Sequence, residues 1–89
     1  MSKHLERLHE IPCVVCSHLL SKESWKIHAH HLESVRDEIS DYGAVSLCEF
    51  HHEELHHLSR RGFENKHKLT PIDLLALTIR ALEKSGRLR

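Results

Sequence analysis

The chain has 89 residues, of which 39% are hydrophobic and 4% aromatic, so it has room for one small domain with a thin apolar core. A domain of this size often needs a bound metal or a partner for stability. No apolar run approaches the roughly 18 residues of a bilayer-spanning helix, and the charged N-terminus does not resemble a secretory signal. We therefore expect a cytoplasmic protein, and the net charge of zero argues against a simple electrostatic binder of nucleic acid.

The charge is unevenly distributed along the chain. Residues 1–57 contain 5 Lys/Arg and 10 Asp/Glu, whereas residues 58–89 contain 8 and 3, so an acidic, His-rich front precedes a basic tail. This pattern fits two ordinary solvated surfaces, and it equally fits a metal site with a flank that contacts phosphate. In the second case four cations would contact phosphates: Arg60, Arg61, Lys66 and Lys68.

A hairpin is predicted in the first half, after a short helix within Ser2–Glu10 that Pro12 would stop. The alternation over Trp25–His30 predicts a half-buried strand, with Trp25, Ile27 and Ala29 on one face. Residues 44–47 are apolar enough to form a second strand, which an acidic loop joins to the first.

Two further helices are predicted in the second half. Residues 49–59 have helical composition, with Leu55 and Leu58 spaced to face a core. The last helix has the clearest signals, since Thr70 can be its N-cap and Pro71 its first residue. We expect a core-facing apolar stripe on it, formed by Ile72, Leu75, Ile79 and Leu82.

The three cysteines favour a structural zinc site, because an odd number cannot complete a disulfide framework. Zinc prefers four tetrahedral ligands, which small folds supply as two close pairs. Cys13 and Cys16 form one such pair, and Cys48 and His51 form another at the same spacing. The alternative is buried thiols without a metal, because free Cys often behaves as a small apolar residue.

Eleven histidines exceed the needs of one zinc site. His52 and His56 are four residues apart on a predicted helix, so both imidazoles lie on one face. If the hairpin packs on this helix, His30 completes a three-histidine site for a catalytic divalent metal, and His31 beside it could take a proton from water. The alternative for each of these histidines alone is a solvated surface position, which we also expect for His4, His9, His18, His57 and His67.

Three segments of the chain form one pattern: Cys13-x-x-Cys16, His28-Ala29-His30-His31 and the run from Leu47 to His56. This pattern resembles the zinc-knuckle branch of the HNH (His-Me finger) endonucleases. The small versions found in phages and prophages are the most similar. The resemblance implies an α+β fold: a ββα-metal core and zinc knuckle over residues 13–59, followed by a basic helical extension over residues 60–89, in one domain spanning residues 1–89. It also implies that His31 is the general base and that His30, His52 and His56 bind the catalytic metal.

The sequence departs from the family where the Asn of its name should stand, five residues before Cys48, because Gly43 occupies that position. A glycine has no side chain with which to orient a histidine. We expect Asp41 to take this role by a hydrogen bond to Nδ1 of His31, which would fix the tautomer of the imidazole.

The predicted function is metal-dependent hydrolysis of DNA phosphodiester bonds. The predicted cofactors are one structural Zn²⁺ and one catalytic divalent ion, which could be Mg²⁺, Mn²⁺, Ni²⁺ or Zn²⁺. The expected substrate is double-stranded DNA, cut by a monomer or homodimer in the cytoplasm, or in the host cytoplasm if a phage encodes the chain. The alternative is a non-catalytic zinc module that binds DNA or protein, including an inactive relative of the nucleases.

Overall fold

A computed structural model describes residues 2–86 as a small α+β fold. The helices are α1 (Lys3–Leu8), α2 (Val14–Leu20), α3 (Glu49–His67) and α4 (Pro71–Lys84), and the strands are β1 (Ile27–His31) and β2 (Ala44–Cys48). A 3₁₀ helix, Asp37–Gly43, occupies most of the connection between the strands. The predicted fold class is thus confirmed, with a ββα succession in the middle of the chain. None of the helices within residues 2–86 has the length and apolar character needed to cross a membrane.

The two strands form the predicted antiparallel hairpin. Its register pairs Ile27 with Cys48 at the open end and His31 with Ala44 near the connection. All five residues of β2 are buried, whereas the side chains of β1, which pairs alongside it, are partly or fully exposed. The predicted start of β1 at Trp25 is wrong. Lys26 has a left-handed backbone with φ of 66°, which interrupts an extended strand, and Trp25 is half exposed.

Helix α2 follows Cys13 directly and was not predicted from the sequence. Its N-cap position is Cys13, which makes no side-chain capping hydrogen bond, and only its first residues are buried. The loop before it is tied to the sheet, because the hydroxyl of the buried Ser46 donates to the carbonyl of Pro12 at 3.2 Å. This contact holds the start of α2 against the middle of β2.

Helix α3 is interrupted at Ser59, where the sequence predicted that it would end. Ser59 has φ of 67° and ψ of 170°, and helical structure resumes after it as far as His67. Leu55 before the break and Phe63 after it belong to one buried cluster with Leu47, and Ile27 packs on that cluster. The predicted packing of the hairpin on this helix is therefore confirmed, and both parts of α3 share one core.

Helix α4 begins as predicted. The side chain of Thr70 accepts from the backbone N–H of Asp73, and the Asp73 carboxylate accepts from the backbone N–H of Thr70. The predicted core stripe is wrong in part, because Ile72 is 77% exposed and Ile79 is 46% exposed. The buried face is formed by Leu74, Thr78 and Leu82. Thr78 tolerates burial because its hydroxyl donates to the Leu74 carbonyl at 2.9 Å.

Candidate metal centres

Three elements bring Cys13, Cys16, Cys48 and His51 together as a buried Cys₃His cluster. Cys13 and Cys16 come from the start of α2, Cys48 ends β2, and His51 lies in the first turn of α3. The Nδ1 atom of His51 lies 3.6, 3.3 and 3.4 Å from the sulfurs of Cys13, Cys16 and Cys48, respectively. The sulfurs of Cys16 and Cys48 are 3.8 Å apart.

These distances fit a tetrahedral zinc site. With zinc bonds of about 2.3 Å to sulfur and about 2.0–2.1 Å to nitrogen, tetrahedral ligands lie about 3.8 Å apart for two sulfurs and about 3.5 Å apart for sulfur and nitrogen. All four ligand atoms lie within 4.8 Å of one another. The cluster could therefore hold a metal such as zinc, through the four residues whose spacing predicted it.

Without a cation, the surroundings of the Cys₃His cluster disfavour a thiolate at Cys13. Burial raises the pKa of the Cys13 thiol to about 12, although hydrogen bonds from the backbone N–H groups of Cys16 and Cys48 partly oppose this rise. A thiolate binds metal and a thiol does not, so a divalent ion must reverse this effect by stabilising the negative sulfur. Burial also lowers the pKa of His51, which leaves the imidazole neutral as a metal ligand requires.

Glu54 joins the Cys₃His cluster to the second part of α3. One carboxylate oxygen, Oε2, lies 2.5 Å from Nζ of Lys66, and the other, Oε1, lies 2.5 Å from Nε2 of His67. Only 10% of the Glu54 side chain is exposed. Ligand atoms of His51, Glu54 and His67 also lie within 4.8 Å of one another. Because Lys66 already places a positive charge on the carboxylate, we interpret this group as support for His51 and not as a further metal site.

This role of Glu54 was not predicted from the sequence. His67 was predicted to be a solvated residue, and this is wrong, because its side chain is 13% exposed and bonds to Glu54. One signal was present in the sequence: Glu54 follows His51 by three residues, and residues at that spacing are neighbours on a helix. Lys66 and His67 follow the break in α3 at Ser59, so their contacts with Glu54 could not be predicted from spacing along the chain.

A second cluster consists of His30, His52 and His56, whose ligand atoms lie within 4.8 Å of one another. His52 and His56 come from successive turns of α3, and their Nε2 atoms are 3.2 Å apart. His30 comes from β1, and its ring lies 5.4 and 5.5 Å from the rings of His52 and His56. The structure thus brings together the three residues predicted to bind a catalytic metal, and this three-histidine cluster is more exposed than the Cys₃His cluster.

Two imidazoles of this cluster, those of His30 and His52, favour their neutral form. Burial, together with the neighbouring His52 and His56, lowers the pKa of His30 to about 4. Burial and the nearby imidazoles of His56 and His28 also lower the pKa of His52. Neutral imidazoles with converging lone pairs are suited to bind a divalent transition metal.

His28 is a further contributor that the sequence analysis left unassigned. Its ring stacks on that of His52 with a centroid distance of 4.8 Å and an interplanar angle of 3°. The residue is two positions before His30 on the same strand face, which is the signal that could have identified it. The stack limits rotation of the His52 ring and so helps to fix its nitrogen toward the cluster.

His31 pairs with Asp41, as predicted, but through the other ring nitrogen. Nε2 of His31, and not Nδ1, lies 2.9 Å from Oδ1 of Asp41. The hydrogen bond to His31 is the main reason that the pKa of Asp41 is lowered. With Nε2–H donating to the carboxylate, Nδ1 is the nitrogen whose lone pair can accept a proton.

The packing around Gly43 leaves little room for a side chain. A Cβ atom at this position would meet Cγ2 of Val35 at 2.7 Å. Any larger residue would therefore have to displace Val35. Asp41, two residues earlier in the same 3₁₀ helix, supplies the polar group that contacts His31.

A cleft of about 330 Å³ opens beside the three-histidine cluster. His30, His31 and His56 all border it. Neighbouring residues of a regular strand point to opposite faces, which would separate His30 from His31. His31 is the last residue of β1, and at this end of the strand both residues reach the same cleft.

The cations predicted to contact phosphate lie at different places. Arg60 borders the cleft and pairs with Glu33 at 3.5 Å. Lys66 is engaged with Glu54, and Lys68 borders a separate depression next to α4. Arg61 is exposed. Of the four, Arg60 is the one that lies beside the histidines of the candidate site.

Comparisons of the chain with models of known protein families, with curated proteins and with solved structures found no match. Its function is therefore inferred from its own residues.

Proposed function

We propose that the protein is a metal-dependent endonuclease that hydrolyses phosphodiester bonds in DNA. The observation that carries this proposal is that two groups border one cleft: the three-histidine cluster, through His30 and His56, and the His31–Asp41 pair, through His31. The first group suits a divalent ion, and the second suits a general base. The resemblance of the motifs to HNH endonucleases points to the same chemistry.

In this mechanism His31 activates the attacking water. Nδ1 accepts a proton from the water, whose oxygen forms a bond to phosphorus while the bond from phosphorus to the 3′ oxygen breaks. The electron pair of that bond leaves with the 3′ oxygen. Asp41, bonded to Nε2–H, keeps His31 in the required tautomer and stabilises the imidazolium that forms.

His30, His52 and His56 would hold the catalytic ion. A divalent ion at this position supplies positive charge next to the phosphate oxygens, where negative charge develops. The Cys₃His cluster would hold a structural zinc that uses all four of its ligands and has no open position for a substrate. Its role is to fix the start of α3, which carries His52 and His56 immediately after His51.

A non-catalytic zinc module is the competing function. Such a module needs the Cys₃His cluster but has no use for a second cluster of three histidines, or for a carboxylate on His31. The two possibilities differ in one measurable property, which is the cleavage of DNA in the presence of a divalent ion.

The test is nicking of supercoiled plasmid by the zinc-loaded protein with Mg²⁺, Mn²⁺ or Ni²⁺. The informative variants are His31→Ala and His56→Ala, and the matched control is His57→Ala, which removes an exposed histidine next to His56. Zinc content and the circular dichroism spectrum are measured for every variant, so that a loss of folding is not mistaken for a loss of chemistry.

We expect nicking by the wild type and by His57→Ala, and its loss in His31→Ala and His56→Ala with zinc content retained. Absence of cleavage with every ion, both of the plasmid and of a single strand of DNA, would refute the proposal. DNA binding without nicking would then favour the interaction module. Full activity of His31→Ala would refute the assignment of the base while leaving the nuclease function intact.

A further inference from the structure

The cleft beside the histidines is also lined by apolar residues that the hydrolytic mechanism does not use. Its other walls come from the end of β1, from both parts of α3 and from the start of α4. The apolar residues that line it are Leu32, Leu55, Phe63, Leu69, Pro71 and Leu74. Its volume lies at the lower end of the range of about 300–1,000 Å³ that is typical of small-ligand pockets.

We propose that this cleft binds the nucleoside attached to the scissile phosphate, so that the preferred substrate is DNA that is single-stranded or locally unpaired. The proposal rests on the proposed function and names its substrate class. It replaces the expectation of an intact duplex.

The position of the histidines leads to this occupant. In the proposed mechanism the phosphate under attack would lie between His31 and an ion that His30, His52 and His56 would hold. Of these residues, His30, His31 and His56 border the cleft. The sugar and base next to that phosphate are only a few bonds away, so they enter the cleft or cover it. Apolar walls suit the faces of a base, whereas a phosphate would lose its hydration there without gaining a partner.

A base in an intact duplex cannot reach such a pocket. It is paired and stacked, and enzymes that take a base into a pocket must first remove it from the stack. That cost is smallest for single strands, mismatches and bulges. A cleft with space for one nucleoside therefore favours such substrates over a regular duplex.

The backbone at the rim of the cleft supports a binding role. Ser59 borders the cleft with φ of 67° and ψ of 170°, a region that is nearly restricted to glycine. Backbone strain of this kind persists where the surrounding structure enforces it, and it is concentrated at binding and active sites. Here the break in α3 places Arg60 at the rim, beside Glu33, and Phe63 on the inner wall.

The experiment compares one labelled DNA strand in three forms: single-stranded, in a perfect duplex and in a duplex with a mismatch at the cleavage position. The main variant is Leu32→Trp, which fills the cleft from a half-buried position. Its control is Ile72→Trp, which adds the same side chain at a residue that is 77% exposed and does not border the cleft. Arg60→Ala perturbs the rim at an exposed position, and its control is Arg80→Ala, at an exposed arginine that does not border the cleft.

We expect the wild type to cleave the single-stranded and mismatched forms at least tenfold faster than the perfect duplex. Leu32→Trp should lower the rate on the single strand at least tenfold, and Ile72→Trp should leave it unchanged. Equal rates on all three forms, or a faster rate on the duplex, would overturn the proposal. If Leu32→Trp loses zinc or helical structure, the test uses Arg60→Ala instead. We expect this variant to have a higher KM for the single strand than the wild type. A KM equal to that of the wild type would overturn the proposal.

A binding measurement separates this inference from the nuclease function. A single strand that carries 2-aminopurine is titrated with protein without added catalytic metal, and a change in its fluorescence reports removal of the base from its stack. We expect this change with the wild type and with Ile72→Trp, and its loss with Leu32→Trp. An unchanged signal with the wild type would overturn the cleft assignment even if cleavage is observed. Failure of cleavage alone would refute only the nuclease.

Discussion

Removal of the metal from the Cys₃His cluster is expected to unfold the protein. The cluster joins α2, β2 and the start of α3, and its three cysteines belong to the same buried cluster as Leu47 and Leu55. Without a cation, three thiols and one imidazole lie buried with only weak sulfur hydrogen bonds among them. A metal at this site would therefore connect segments that the small core alone holds weakly.

The expected magnitude is large relative to the stability of such a domain. Structural zinc contributes about 10–16 kcal/mol of binding free energy in small zinc-dependent folds at neutral pH. The net stability of a folded domain is about 5–15 kcal/mol. Loss of the ion should therefore leave little or none of the folding free energy, so that the metal-free chain is mostly unfolded at 25 °C.

The assay is far-ultraviolet circular dichroism during removal of zinc by a chelator and its stepwise return. We expect the helical signal and the cooperative thermal transition to disappear with the metal and to return at one equivalent of Zn²⁺. Cys16→Ala should behave as the metal-free protein does, and Ser17→Ala, at the exposed neighbouring residue, should behave as the wild type. A metal-free protein that keeps its helical signal and its melting temperature would refute the reasoning.

Four further predictions follow from the two clusters and from the break in α3. Asp41→Asn should lower the rate of DNA cleavage by about 10–100-fold with little change in KM, because the carboxylate that orients His31 is lost. Asp37→Asn, in the same 3₁₀ helix, should have no effect on steady-state kinetics. In an NMR titration without catalytic metal, His30 should titrate near pH 4 and not near 6.5. Because the unfolded chain takes up a proton at His30 near pH 6.5, folding stability should fall as the pH drops from about 6.5 toward 4. An NMR titration midpoint of His30 above pH 6 would contradict this prediction. Glu54→Gln should weaken zinc binding by about 10–100-fold in a competition assay, and Glu53→Gln, which is exposed, should leave the affinity unchanged. Ser59→Gly should raise the free energy of unfolding by about 1 kcal/mol in urea, since glycine adopts this backbone without strain, and Ser59→Ala should give no gain.

Local signals predicted much of the secondary structure. Thr70, Pro71 and Asp73 formed a recognisable helix start because a cap depends only on residues within one turn. The hairpin was recognisable because side-chain alternation has a fixed period in a strand. Helix α2 gave no such signal. It has seven residues with no side-chain cap, and so short a helix depends on contacts made elsewhere in the chain.

The buried face of α4 shows why some packing could not be predicted. Apolar residues occur on most sides of this helix, so their spacing alone did not identify the side that meets the core. Leu74 and Thr78 were not among the residues predicted to face the core, yet they are buried. Ile72 and Ile79, which were predicted to face the core, are exposed. The buried face of α4 is determined by the position of this helix against α2 and β2, which is a long-range property.

The sequence by itself determined the two ligand pairs of the Cys₃His cluster and the pairing of His52 with His56, because residues three or four positions apart are held together by local backbone geometry. The tertiary structure decided which distant groups join them. It brought His30 to the helical pair, placed Glu54 against His67, directed Nε2 of His31 to Asp41 and left an apolar cleft between β1, α3 and α4. These contacts depend on how the hairpin packs against both parts of a broken helix, and spacing along the chain carries no information about that packing.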